Sequence, residues 1–425
     1  MKILNFNELL LVAFIFSLPS CNSNDKAVTD SGDRIRSYPY TINLEEALAN
    51  PISLNLSDIA DSIRYVMLSD EDIIPIRVIH DIEIIGNDIF IHALCEHPIF
   101  LRFNISGEFQ NIIGAYGRGP GEYLSGSDFS IDKYNERVLI LRWFSCDYLA
   151  YSYTGEFIRK INIVPNKSNV DFTTIEGDKL LKFYSYSEVP GREVFPEKML
   201  LCSLTDLNDT IIKAICHPAI NKNGFIVDRP ILIRAALVTY YNNSALINNW
   251  GLDTIYKATN DSIYSAFILN FGKFTPNYIQ RYSYVDKGES LNFFNWYGKK
   301  TFETETDVFL SYGLSDKAYL FRYNKQSGDV VSMRFNSANF VGYLPNFPDL
   351  GFINDIDNGM NFYPNWTNRE GNIWIDQIDA VKFINENSKK SNSESCLTSK
   401  SNLNQVLEKV KENDNPILRL VYLKN

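Results

Sequence analysis

Beyond about residue 60 the chain is written in short apolar runs rich in β-branched and aromatic residues. Gly, Asn and Asp break these runs at the spacing of about 8–12 residues that marks sheet meanders. The clearest series holds residues 79–85, a turn at Gly86-Asn87-Asp88, residues 89–92, residues 99–103, a turn at Ser106-Gly107-Glu108 and residues 109–113. Such a series predicts a four-stranded antiparallel meander. The next segment repeats the plan: residues 128–132, a turn at 133–136, residues 137–143, residues 148–153, a turn at Thr154-Gly155-Glu156 and residues 157–164. Gly107-Glu108-Phe109 thus returns as Gly155-Glu156-Phe157, a period of about 48 residues. Self-similarity at that period, carried by strands, predicts propeller blades.

Four further units follow. The third runs from Phe172 through a hairpin around Asn208. The fourth holds residues 244–247 and 253–256 with a turn at Asn260-Asp261. The fifth holds residues 307–309 and 319–323 with a turn at Ser327-Gly328-Asp329. The sixth begins near Asn361 and passes through residues 369–372 into residues 373–375. Insertions are expected around Pro190, Pro276 and Pro345. A ring must close, because an open edge exposes unpaired backbone groups. The strand-like run 62–68 precedes the first full meander and residues 416–423 follow the sixth turn, so these two are expected to pair in one composite blade. Between them, residues 385–400 are polar and expected to be mobile. Leu403, Val406, Leu407 and Val410 stand at helical spacing and predict one short amphipathic helix. The fold expected is all-β: a six-bladed β-propeller with four-stranded antiparallel blades, closed by its N-terminal and C-terminal strands.

The 425 residues are 45% hydrophobic and 22% charged, which excludes disorder over the whole length, collagen-like repeats and polytopic membrane spans. A net charge of -10 argues against a nucleic-acid groove, so no nucleic-acid partner is expected. The 28 Phe and 25 Tyr add to the preference for strands.

Residues 9–18 read LLLVAFIFSL, too short to span a bilayer, which needs about 20 residues. With Lys2 before it and Ser20 after it, the run is expected to be a secretory signal at residues 1–20. The ending Leu18-Pro19-Ser20-Cys21 resembles a bacterial lipobox, and the resemblance implies that Cys21 becomes the lipidated first residue. Residues 21–37 then form a flexible polar tether, and residues 38–425 the propeller domain. Five cysteines remain, Cys95, Cys146, Cys202, Cys216 and Cys396, too few and too scattered for a disulfide framework. Cys202 and Cys216 lie at equal distances from the turn at Asp209, which would set them side by side across a hairpin. The alternative is two small buried side chains.

Three segments together resemble a family. They are residues 112–123 (IIGAYGRGPGEY), Asp253-Thr254-Ile255-Tyr256 with the later Phe271-Gly272-Lys273, and residues 413–418. All are similar to six-bladed β-propeller lipoproteins of Gram-negative bacteria, themselves distantly similar to NHL-repeat propellers. The resemblance implies the fold and an address in the cell envelope, lipid-anchored to the outer membrane, but no reaction and no catalytic residues.

The Gly117 to Tyr123 string invites comparison with phosphate loops, but it lacks the Gly-Lys-Ser/Thr ending and Pro120 removes a donor. Tight passage between blades explains its glycines more simply. In a four-stranded meander the crossover after the fourth strand shares a face with the turn between strands two and three. Arg118 and Tyr123 are therefore expected on one face with His97 and, one blade on, Trp143, as ligand-binding candidates. Glu122 is expected to serve the loop itself. His92, Cys95 and His97 form the one local His/Cys cluster, read as a polar turn with two exposed histidines rather than zinc ligands, which normally number three or four. Asp355, Asp357 and Asn358 before Gly359 miss the EF-hand spacing and read as an Asx-rich loop. No cofactor, metal or catalytic residue is expected, and no Gly-x-Ser-x-Gly, His-Glu-x-x-His or nucleotide motif occurs.

These observations favour a lipid-anchored envelope protein that binds a glycan, a peptide or a partner protein without chemistry of its own. The alternative is a propeller enzyme, an NHL-like lyase or a hydrolase, with its site over the central channel, which converging carboxylates or histidines would signal. A third reading is a structural subunit of an envelope complex, marked by a large apolar patch.

Overall fold

The structure, a computed structural model, describes residues 38–69, 75–124, 126–142, 147–162, 169–176, 178–187, 200–217, 232–233, 236–249, 252–276, 301–314, 317–336, 340–341, 344–345, 351–391 and 402–424. The signal and tether segments, Cys146, Trp143 and Cys396 lie outside these residues, as do most of the stretches around Pro190, Pro276 and Pro345.

The predicted meanders form. Blade 1 holds the strands Val78–Ile85, Asp88–Leu94, Pro98–Asn104 and Phe109–Ile112, paired in sequence order from the axis outward. Blade 2 holds Gly126–Asp132, Arg137–Arg142, Asp147–Ser152 and Phe157–Asn162. Blade 3 holds Asn169–Ile175, Lys179–Ser187, Leu200–Asp206 and Ile211–Cys216. Blade 4 holds Leu237–Tyr241, Ser244–Asn248, Thr254–Ala258 and Ile263–Asn270. Tyr40–Asn43 adds to its outer edge in parallel, an addition the sequence pattern did not reveal. Blade 5 has an innermost strand of only two residues, Phe302–Glu303, followed by Asp307–Leu314, Lys317–Asn324 and Val330–Asn336. Blade 6 is the composite one: Trp366–Thr367, Ile373–Ile378 and Ile417–Leu423 from the C-terminal part, then Ala60–Met67 outermost. Tyr65 stands opposite Arg419 and Arg64 opposite Leu420, so the two ends of the chain lock the ring. The side chain of Asn402 reinforces the lock, accepting from the Tyr65 amide and donating to the Tyr65 carbonyl, both at 2.8 Å.

The core consists of slabs, one between each pair of neighbouring blades. Phe90, Phe100, Phe129, Ile140, Leu149 and Tyr151 fill the slab between blades 1 and 2. Each strand presents one face to each neighbouring sheet, and both faces are covered. Strands therefore read as nearly continuous apolar runs, such as Arg137–Arg142 with its first five positions buried.

The repeated Gly-Glu-Phe has a physical cause. Gly107 has φ +89° and a Cβ there would lie 2.0 Å from the Met67 carbonyl oxygen. Gly155 has φ +87° and its Cβ would lie 2.2 Å from the Ile112 carbonyl oxygen. In both cases the last turn of a blade presses on the outermost strand of the blade before it, and only glycine fits.

Helix Leu403–Leu407 forms where the spacing predicted one. A second helix, Ala380–Ser391, replaces the expected mobile segment over its first half. Asp379 accepts from the Lys382 amide at the helix start, and Ala380 and Phe383 are buried against blade 6. Polar composition hid this element because only one narrow stripe of it meets the core. Of the two readings of Cys202 and Cys216, side-by-side placement is excluded, because a register shift between Leu200 and Cys202 places Ile215 opposite Cys202, and Cys216 opposite Leu200. Both cysteines are free, Cys202 buried and Cys216 exposed.

Candidate functional site

Two regions carry chemistry-bearing side chains. The first lies on the axis, where the innermost strands meet. Arg369, in the turn between the first two strands of blade 6, reaches across the ring and is 8% exposed. Its Nε and Nη2 donate to Glu83 of blade 1 at 2.9 and 2.6 Å. Nη1 donates to the Thr174 carbonyl of blade 3 at 2.7 Å, and Nη2 also to Ser130 of blade 2 at 2.9 Å. The guanidinium lies 4.1 Å from the ring centre of Tyr240 in blade 4. Glu83 in turn accepts from the Ile131 amide at 3.1 Å. Burial pushes the Glu83 carboxyl up, and the guanidinium beside it opposes that rise.

Because the innermost strand of blade 5 is so short, the first hairpins of blades 4 and 6 meet directly. The amides of Asn242 and Asn243 donate to the carbonyls of Glu370 and Arg369, each at 2.9 Å. Lys133 of blade 2 joins them, donating to Asn243 at 2.7 Å and facing Glu370 at 3.6 Å. Outside this seal lies a shallow open depression, lined among others by Asp132, Tyr134, Glu176 and Asn243. Nothing in the sequence marked Arg369 for this role, because an Arg-Glu-Gly-Asn turn looks like any exposed hairpin.

The second region is the opposite face, with the crossover from blade 1 to blade 2. Here Glu122 turns back on its own loop, its carboxylate accepting from the Gly119 amide at 2.7 Å. A Cβ on Gly117 would lie 2.1 Å from that carboxylate, so this glycine makes room for it. The loop amide that an anion would need is therefore taken by the protein. Tyr123 is 1% exposed, with its hydroxyl donating to the Ile113 carbonyl at 3.2 Å. Arg118 is exposed at the loop surface. His97, at the same surface, lies flat on the exposed Tyr116, with ring centres 4.2 Å apart and planes 4° apart. Sequence reasoning passed over Tyr116, although it sits two residues before Arg118. Trp143 lies outside the described residues.

The His92, Cys95, His97 cluster is dispersed. His92 is 4% exposed rather than solvent-facing, stacked on Phe100 at 4.5 Å in the slab between blades 1 and 2. Cys95 is buried in the slab between blades 6 and 1. Strand alternation separates them: His92 and Cys95 are three positions apart and so point to opposite faces. In the Asx-rich loop, Asp355 accepts from the Ser57 amide and hydroxyl, and Asp357 from the Gly359 amide and the Asn354 side chain. Among the described residues no group of three His, Cys, Asp or Glu side chains is arranged to hold a metal ion.

His217, at the end of the outermost strand of blade 3, is buried, and burial pushes its imidazole down to about 4 while a hydrogen bond with Asn249 opposes this. The unfolded chain takes its proton near pH 6.5. Stability is thus present above that value and lost as pH falls toward about 4, by roughly 3 kcal/mol in all. His217→Gln is expected to unfold more easily than the parent at pH 7.5, with the gap closing in urea titrations at pH 4.5. A gap independent of pH would show that the imidazole does not change charge on unfolding.

Among the described residues no helix is long and apolar enough to cross a membrane. No curated protein matches the sequence. A Bacteroides fragilis protein that bears the name of an inferred exported protein is similar in structure, with TM-score 0.62, 16% identity, and 91% of this chain and 100% of that one covered. A member of the DUF4221 family from Bacteroides vulgatus aligns with TM-score 0.42 and 12% identity over 88% of this chain and 98% of the other. A virginiamycin B lyase from Staphylococcus aureus aligns with TM-score 0.36 and 10% identity over 66% and 79%. At such identities the first of these shows a shared fold and the others carry no argument. The model of a domain of unknown function, DUF4934, matches residues 39–422, nearly the whole propeller, and the chain belongs to that family.

Proposed function

We propose that the protein is a non-catalytic binding protein of the cell envelope, lipid-anchored to the outer membrane through Cys21, and that the crossover face of blades 1 and 2 holds its ligand. The observation that carries this reading is the parallel stack of His97 on the exposed Tyr116, two residues from Arg118. A flat aromatic surface left open to water is a platform on which the C–H face of a sugar packs, and a neighbouring guanidinium supplies fixed donors. A glycan is therefore the ligand class we carry, ahead of a peptide or a partner protein. Tyr123 and Glu122 hold the loop from beneath, and Trp143 is carried as a further candidate on sequence grounds.

The test is a glycan array, with an envelope-extract pull-down alongside, using the soluble domain from about residue 38. Tyr116→Ala, Arg118→Ala and Trp143→Ala are each expected to weaken capture by about tenfold or more, the loss of roughly 1.4 kcal/mol of contact. Unchanged capture by all three rejects this face. A second reading, a lyase or hydrolase at the axis, is favoured by one observation: the side chains of Asp128 and Asp171, on the innermost strands of blades 2 and 3, are hydrogen-bonded to each other. Turnover of a captured ligand that disappears in Asp171→Asn, with capture retained, would favour it.

A further inference from the structure

Blade 1 contains a histidine pair that the binding face does not use. The ladder between Val78–Ile85 and Asp88–Leu94 slips between Ile79 and Asp81, leaving His80 as the extra residue of a β-bulge. A bulge sets two residues against one on the partner strand and re-aims a side chain. Here His80 and Asp81 stand against His92, and the imidazoles of His80 and His92 come to 5.1 Å between ring centres. His92 is held by its stack on Phe100 and by Phe129. Its Nε2 is buried with no hydrogen-bond partner among the described residues, an expensive condition for a polar atom. His80 is exposed, so the pair is reachable from solvent.

We propose that His80 and His92 form a two-nitrogen chelate for a borderline divalent transition cation of the zinc class, with Asp81 beside them and the remaining positions open to water or an incoming ligand. Head-on imidazoles on one tetrahedral ion, with metal–nitrogen distances of about 2.0–2.1 Å, place their ring centres about 5 Å apart. The observed separation of 5.1 Å matches that spacing. Asp81 acts on His80 electrostatically, in the manner of the carboxylate partners that steady metal-bound imidazoles. Oxygen-seeking ions such as Mg²⁺ are not suited to this donor set.

The experiment is calorimetric titration of tag-free protein with Zn²⁺ at pH 7.5, with the melting temperature followed in parallel. Saturable binding near one ion per chain is expected, accompanied by a rise in melting temperature. His80→Ala, on an exposed side chain, is expected to remain folded and to lose both signals. Asp81→Asn is expected to weaken binding by about tenfold or more. His97→Ala is expected to bind like the parent, and Mg²⁺ to give no signal. No saturable Zn²⁺ binding, equal binding by His80→Ala, or binding lost in His97→Ala instead would each overturn the proposal.

Discussion

Arg369→Met is expected to lower the folding free energy by about 3–5 kcal/mol, the cost of leaving a buried charge without its partner. Guanidine titrations at pH 7.5 measure it. The side chain links Glu83, Ser130, Thr174 and Tyr240, and so ties blade 6 to blades 1, 2, 3 and 4 through one group. Without it the Glu83 carboxylate faces the protein interior with the Ile131 amide as its one remaining donor among those described. At acidic pH Glu83 can take up a proton, so part of the loss should be recovered there. The double variant Arg369→Met with Glu83→Leu should regain most of the stability, because an apolar pair of similar volume removes both desolvation costs. A double variant as weak as the single one would show that the pair is not what the ring depends on.

The second large effect concerns the lock. A chain beginning at Ile76 lacks the outermost strand of blade 6 and the parallel strand on blade 4. It should fail to give soluble monomer, whereas one beginning at Tyr38 should give it; size-exclusion chromatography separates the outcomes. Ile63, Tyr65 and Val66 are each 2% exposed, and burying such side chains contributes about 1.5–3 kcal/mol apiece. Together these three approach the whole net stability of a typical protein, about 5–15 kcal/mol. Their loss also strips the edge of Ile417–Leu423, leaving unpaired backbone groups ready to pair with another molecule. Soluble, cooperatively melting monomer from the shorter chain would contradict this account of closure.

Blades 1 and 2 were legible because their strands are long and their turns carry glycines whose positions are fixed by contact with the preceding blade. Gly107 and Gly155 accept equivalent bonds at their carbonyls, from the amides of Ser69 and Gly114. Such a constraint leaves a mark in sequence. The lock was legible too, since Ala60–Met67 and Ile417–Leu423 are plain strand-like runs left over at the two ends of the repeats, and Ala60–Met67 has no other partner strand among the described residues. Blade 5 was harder, because an innermost strand of two residues gives no period to read. Helix Ala380–Ser391 buries so little that its polar residues dominated the pattern. The candidate sites were the least visible part. His80 meets His92 only through a one-residue slip of register, Tyr116 was hidden among glycines, and Arg369 finds its partners in four other blades. None of these depends on spacing along the chain, so no local motif could have reported them.

The two-residue strand of blade 5 has a last consequence. By letting its neighbours join hands, it ties blades 4 and 6 to each other directly, so that strain on either is felt by the other without passing through the sheet between them.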